Sequence, residues 1–119
     1  MSARDGVIEY IQAGLKAASM RQAAIANNIA NLNTPGYRRE AVEFEKLLAE
    51  ALGSGGRVDL PEVAPRLIRP MTGPVNAVGN DVNMDMEVGE LVKNASMYKV
   101  YLRLLSKLYQ QMELAMQPG

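Results

Sequence analysis

Asp81-Val82-Asn83-Met84-Asp85 opens in the D-x-N-x-D pattern with which a calcium loop sets its first oxygen ligands. The next place in such a loop needs glycine and is Met86; the closing place needs a bidentate glutamate and is Val92. The stretch therefore reads as a turn with a helix cap at Asp85. Met84, Met86, Met97, Met112 and Met116 could offer thioethers to a soft metal, but without Cys or His they read as adaptable packing. Glu87 and Glu90 stand i, i+3 on one helix face, the spacing of paired acid–base carboxylates, yet no nucleophile accompanies them. They read as solvated charge. Asn94-Ala95-Ser96 is a formal glycosylation sequon that falls mid-helix, and Gly53-Ser54-Gly55-Gly56 does not fit the phosphate-binding pattern G-x-x-x-x-G-K-[ST]. The absence of His removes the usual general base, and the absence of Cys removes thiolate and disulfide chemistry. No catalytic residue, metal or cofactor is expected.

What stands out instead is amide. Asn27, Asn28, Asn31 and Asn33 crowd the end of an apolar, helix-patterned run, and Thr34-Pro35-Gly36-Tyr37 follows at once. Asparagine is a mediocre helix former because its side chain competes for nearby backbone groups. Pro35 excludes Thr34 from the helical region, and Pro then Gly at the centre of Thr34–Tyr37 suits a type II turn. The spacing predicts a helix end near Leu32 or Asn33. Asn27 and Asn31 share a face, and Asn28 lies beside the seam at Ile25 and Ile29. Such amides fit a soluble helix end, and equally a register device between helices or subunits.

The elements that must position these residues are two heptad runs. Ile8, Ile11, Leu15, Ala18, Gln22, Ile25, Ile29 and Leu32 are spaced 3-4-3-4-3-4-3, with Gln22 the only polar member. Val88, Leu91, Ala95, Tyr98, Leu102, Leu105, Tyr109, Met112 and Met116 repeat the pattern at the other end of the chain. Between them, Phe44, Leu47, Leu48 and Ala51 give a short helical stripe ending at Leu52, with Gly53 as its stop. Gly53–Gly56 reads as a spacer, and Pro61, Pro65, Pro70 and Pro74 predict an extended, partly mobile segment with one short edge strand near Arg66–Arg69. Gly79-Asn80 signals a turn.

The fold expected is mainly all-α, one rod-type domain over residues 1–119. Its parts are an N-terminal helix over 3–32, a turn and short helix over 33–52, a flexible middle over 53–84 and a C-terminal helix over 85–116. The two long helices close as a coiled-coil hairpin. One Phe and no Trp leave little bulk for a thick core. Lys+Arg 13 balance Asp+Glu 13, so no bulk field attracts nucleic acid. No uncharged run reaches the ~18 apolar residues of a membrane span. Met1–Gly6 lacks the apolar core of a cleaved signal peptide. Apolar pattern kept to Met116, with alanine-rich surface on the first helix, predicts packing into a larger helical array.

Arg21-Gln22, Asn27-Asn28-Ile29-Ala30-Asn31 and Asn33-Thr34-Pro35-Gly36-Tyr37 together resemble the N-terminal signature of bacterial flagellar axial proteins, the rod and hook family. Phe44 to Leu48, Gly79-Asn80-Asp81-Val82-Asn83-Met84-Asp85-Met86-Glu87, and Asn94 with Tyr98 are similar to the short proximal-rod branch, the FlgB type. The resemblance covers roughly residues 8–48 and 79–116. Asn83 departs from it, since that branch usually has Asp there. The other short rod branch, of FlgC type, is second choice, because Leu91–Tyr98 lacks its Arg-x-Tyr-Glu-Ala-Asn pattern. The resemblance implies a structural subunit, not an enzyme, that self-assembles by helix packing into a hollow, torque-bearing periplasmic rod. It implies export without a cleaved signal, through the flagellar type III apparatus. The partners implied are copies of itself, other rod proteins and the adaptor joining rod to MS ring. The residues expected at assembly contacts are Gln22, Asn27, Asn28, Ile29, Asn31, Asn33, Thr34, Pro35, Gly36, Tyr37, Asn94, Tyr98, Leu102, Leu105, Tyr109 and Met112. A cytoplasmic helical adaptor or chaperone, closing its seam in a small oligomer, is the rival reading.

Overall fold

Alanine and 3-4 apolar spacing carry the first helix, α1, from Ala3 to Ala30. In the computed structural model, which describes residues 3–53 and 64–117, β1 (Ala41–Glu43), α2 (Glu45–Gly53), β2 (Arg66–Ile68) and α3 (Met84–Met116) follow. The α-helix closes at Ala30, slightly earlier than the sequence predicts, and tightens into a 3₁₀-like turn. Leu32 N–H donates to the Ile29 carbonyl at 3.2 Å and Thr34 N–H to that of Asn31 at 3.1 Å. The expected turn is there: Tyr37 N–H donates to the Thr34 carbonyl at 3.3 Å, with Gly36 at φ 73.

α1 and α3 pack antiparallel, with Asn28 against Glu87, Ala18 against Asn94 and Gly14 against Tyr101. Ile11, Ala18 and Ile25 of the first heptad run are buried. The back of α1 receives the rest of the chain. Val42, Phe44 and Leu48 pack on Ala17, flanked by Tyr10, Ala13 and Met20. Alanine's size lets β1 and α2 sit close to the helix here, and the chain's one Phe fills the space. The molecule measures 68 × 30 × 16 Å with a radius of gyration of 18.0 Å, against about 13.5 Å for a compact domain of this length. Length is gained at the expense of core.

Two expectations are corrected. α3 is capped by Asn83, not Asp85: Asn83 Oδ1 accepts from Met86 N–H at 3.1 Å, leaving Asp85 and Glu87 in the first turn. The second heptad run is not the face that meets α1. Val88, Leu91, Ala95, Tyr98 and Leu102 are exposed, while Glu87, Asn94 and Tyr101 are buried. The seam is displaced by one residue, about 100° around the helix. Only towards the C-terminus do Leu105 and Met112 become half-buried, together with Leu108.

β2 falls where an edge strand is expected, and it pairs antiparallel with β1, with Val42 opposite Leu67. The sequence pattern gave no sign of β1. From residue 64 onward the middle is pinned to the end of α1. Asn80 Nδ2 donates to the carbonyls of Asn31 and Thr34, both at 2.9 Å, and Gly36 N–H to that of Val78 at 2.7 Å. Gly79 turns at φ 78. The Ser54–Gly56 part of the spacer and Pro61 lie outside the described residues.

Candidate assembly surface and its polar junction

The amides at the end of α1 resolve into two kinds. Asn28 is fully buried and completely used. Its Oδ1 accepts from Glu40 N–H at 2.7 Å and from the Tyr37 hydroxyl at 2.9 Å; its Nδ2 donates to the Glu40 carbonyl at 2.9 Å and to Glu87 Oε2 at 3.1 Å. One side chain thus ties α1, the segment after the turn and the start of α3. Asn27 and Asn31 lie further out. Asn27 Nδ2 reaches the Tyr37 hydroxyl at 3.1 Å and Glu40 at 3.2 Å, and Asn31 Nδ2 donates to the Asn27 carbonyl at 2.8 Å. Thr34 Oγ1 closes the set on Asn31 Oδ1 at 3.0 Å.

Charge completes the junction. Arg39 Nε donates to Glu87 Oε1 at 2.7 Å, and Arg39 N–H to Asp81 Oδ1 at 2.6 Å, with Arg38 beside Asp81 at 3.8 Å. Glu87, expected to be solvated, has no exposed surface. That reading is overturned for a physical reason: a carboxylate can be buried when a guanidinium and an amide satisfy it. Asp81, the first oxygen of the apparent calcium loop, is likewise committed to backbone and arginine. Among the described residues no group of three or more His, Cys, Asp or Glu could hold a metal ion.

Beside the junction a cleft of about 500 Å³ opens between α1, β1 and α3, floored by Ala24, Ile25, Val42 and Met97. At its rim Arg21 pairs with Glu45, whose hydrogen bond holds the Glu45 carboxyl below its ordinary range. Among the described residues that line it there is no set for nucleophilic or acid–base catalysis.

Midway along the hairpin Tyr101 presses into the notch left by Gly14, in edge contact with Tyr10, whose ring meets Phe44 in turn. Burial, then the neighbouring Tyr10 and Glu45, push the Tyr101 hydroxyl up to about 12. Burial and Glu40 raise Tyr37 as well.

Of the residues expected at assembly contacts, Asn28 and Asn94 are buried within the chain. Ile29, Asn31, Tyr37, Leu105 and Met112 are half-buried. Gln22, Asn27, Asn33, Thr34, Pro35, Gly36, Tyr98, Leu102 and Tyr109 are exposed. The structure thus gathers two sets, a self-satisfied polar junction and an outward stripe on α3. Val88 (47%), Leu91 (38%), Tyr98 (42%), Leu102 (43%) and Tyr109 (49%) form that stripe. Sequence reasoning missed Gly14, Arg39, Asn80, Asp81, Glu87 and Tyr101. A Gly inside a strongly helical run was the signal for one of them.

The family model for flagella basal body rod protein matches residues 11–38, the latter part of α1 and the turn. The FlgB basal-body rod protein of Bacillus subtilis is 28% identical over 128 residues, covering 100% of this chain and 99% of the relative. That of Borreliella burgdorferi is 29% identical over 109 residues, covering 76% and 81%. The FlgG basal-body rod protein of Caulobacter vibrioides is 30% identical over 87 residues, covering 73% of this chain and 27% of the longer relative.

Proposed function

Since this chain belongs to the flagellar basal-body rod proteins, we propose that it builds the proximal part of the rod, polymerising by helix packing into a hollow shaft. It is a structural subunit of the flagellar basal body and not an enzyme, and its partners include other rod proteins. In the finer reading the shaft stands in the periplasm, transmits torque and passes exported subunits. The subunit arrives through the flagellar type III apparatus, without a cleaved signal. At the membrane end it meets the adaptor that joins rod to MS ring.

One observation carries this reading. α3 turns an apolar stripe outward along most of its 33 residues, on a protein whose other helix face is already occupied. A monomer does not keep such a surface in water without use for it. Alternation of Leu and Tyr at heptad spacing is what a neighbouring helix can interlock with.

The test is Leu91→Asp with Leu102→Asp in cells whose only copy carries both changes. Both positions are exposed, so the free subunit is expected to keep its helicity while rods and motility are lost. Wild-type motility would overturn the reading. Sedimentation of the wild-type protein separates the rival: a discrete, closed small oligomer fits a cytoplasmic adaptor, whereas open-ended growth fits a rod.

A further inference from the structure

α3 could lie on α1 in two rotational settings. The one favoured by the apolar pattern sets Val88, Leu91, Ala95, Tyr98 and Leu102 against Ile11, Ala18 and Ile25. The one observed is turned by one residue, about 100°, and sets Glu87, Asn94 and Tyr101 there instead. Hydrophobic burial alone selects the first. Something outweighs it.

The three buried residues of α3 are one heptad apart, and each is matched to a particular group opposite. Glu87 accepts from Arg39 and Asn28 in a fully buried site. Asn94 Nδ2 donates to the Ala18 carbonyl at 2.7 Å, and its Oδ1 is left buried without a partner. An orphaned acceptor is a cost that a seam chosen for packing would avoid. The Tyr101 ring occupies the place of the side chain that Gly14 lacks: a Cβ there would stand 2.4 Å from Cζ. None of the three fits in the alternative setting, where each would swing out towards solvent.

We infer that Glu87, Asn94 and Tyr101, seated on Asn28, Ala18 and Gly14, are positioning residues that form a register key. The key holds α3 turned so that its more apolar stripe points outward. It excludes the hairpin that would bury its own assembly surface. Buried polar groups that fix register at a cost in stability are the physical precedent. The stripe's purpose rests on the rod reading; the key itself does not.

The chain has no cysteine, so single thiols report the setting. Leu102→Cys is outward and Met97→Cys half-buried in the observed setting. Each is placed in the otherwise wild-type chain and in the Gly14→Ala, Asn94→Leu background, and maleimide labelling of the free subunit is timed. The key variant is expected to slow labelling at 102 by about tenfold and to speed it at 97, at unchanged helicity, with motility lost. Loosening or unfolding would speed both thiols, so opposite movement is specific to a turned helix. Asn94→Leu alone, which adds no clash, gives the same readout if the double variant folds poorly. Equal labelling at 102 in both backgrounds, or acceleration at both sites, overturns the key. Opposite shifts with full motility would uphold the key and overturn the use of the outward stripe in assembly.

Discussion

The two faces of α3 invert the usual arrangement of an amphipathic helix. Between Glu87 and Tyr101 the face on α1 carries a carboxylate, an amide and a phenol, all nearly or fully buried, with Met97 half-buried among them, and the face towards water carries valine, leucine and tyrosine. Glu87 and the Asn94 amide nitrogen each have a chosen partner within the chain, and the Tyr101 ring has its notch at Gly14. Among the described residues the outer stripe has none. The difference teaches that matched contacts, and not the apolar pattern alone, decide which face of α3 closes the hairpin.

The strongest way to break this contrast is Glu87→Ala. It leaves Arg39 charged and the Asn28 amide short of a partner in a buried site, and it is expected to cost about 3–5 kcal/mol, read by urea or thermal unfolding. Asn28→Ala removes four hydrogen bonds at one point and should cost about 1–3 kcal/mol; a loss below that range would show that water replaces the clamp freely. Asn27→Ala with Asn31→Ala sharpens the contrast within the amide cluster, since both lie further out. Their combined cost is expected near 1 kcal/mol, with helicity retained and assembly lost, and full motility would remove these two from the assembly surface. Leu102→Asp tests the outer face: the free subunit should change by no more than about 0.5 kcal/mol, while rods fail.

The smallest effect is alkaline. Tyr101 should ionise late, its phenol held up to about 12 by burial, then by Tyr10 and Glu45. A phenol raised in the folded state stabilises fully below its unfolded value near 10. That contribution falls away as pH climbs from there through about 12. Spectrophotometric titration should show the Tyr101 step late, and its loss in Gly14→Ala would place Tyr101 out of its notch.

Much of the fold can be read in residue order. Spacing alone locates α1 and α3, Thr34–Tyr37 announces its turn, and Phe44 to Leu48 announces α2. The edge strand expected near Arg66–Arg69 is found as β2, yet its partner Ala41-Val42-Glu43 gives no such sign, because three residues carry no usable period and the pairing lies far along the chain. The candidate site was legible only in outline. Asn27, Asn28 and Asn31 mark the junction, but Glu87 reads as solvated charge and no local pattern singles out Arg39. Their pairing spans 48 residues, and that of Asn28 with Glu87 spans 59. No local pattern encodes a partner at that distance.

α3 sets the boundary between the two kinds of knowledge. The sequence by itself determined that Val88, Leu91, Tyr98, Leu102 and Tyr109 share one stripe, because helical periodicity fixes which side chains lie on the same side. It could not determine that the stripe faces away from α1. Only the tertiary structure decided that, because the rotation of one helix on another is set by matched contacts. Here those are a buried carboxylate on Arg39, an amide on the Ala18 carbonyl, and a tyrosine ring where Gly14 has no side chain.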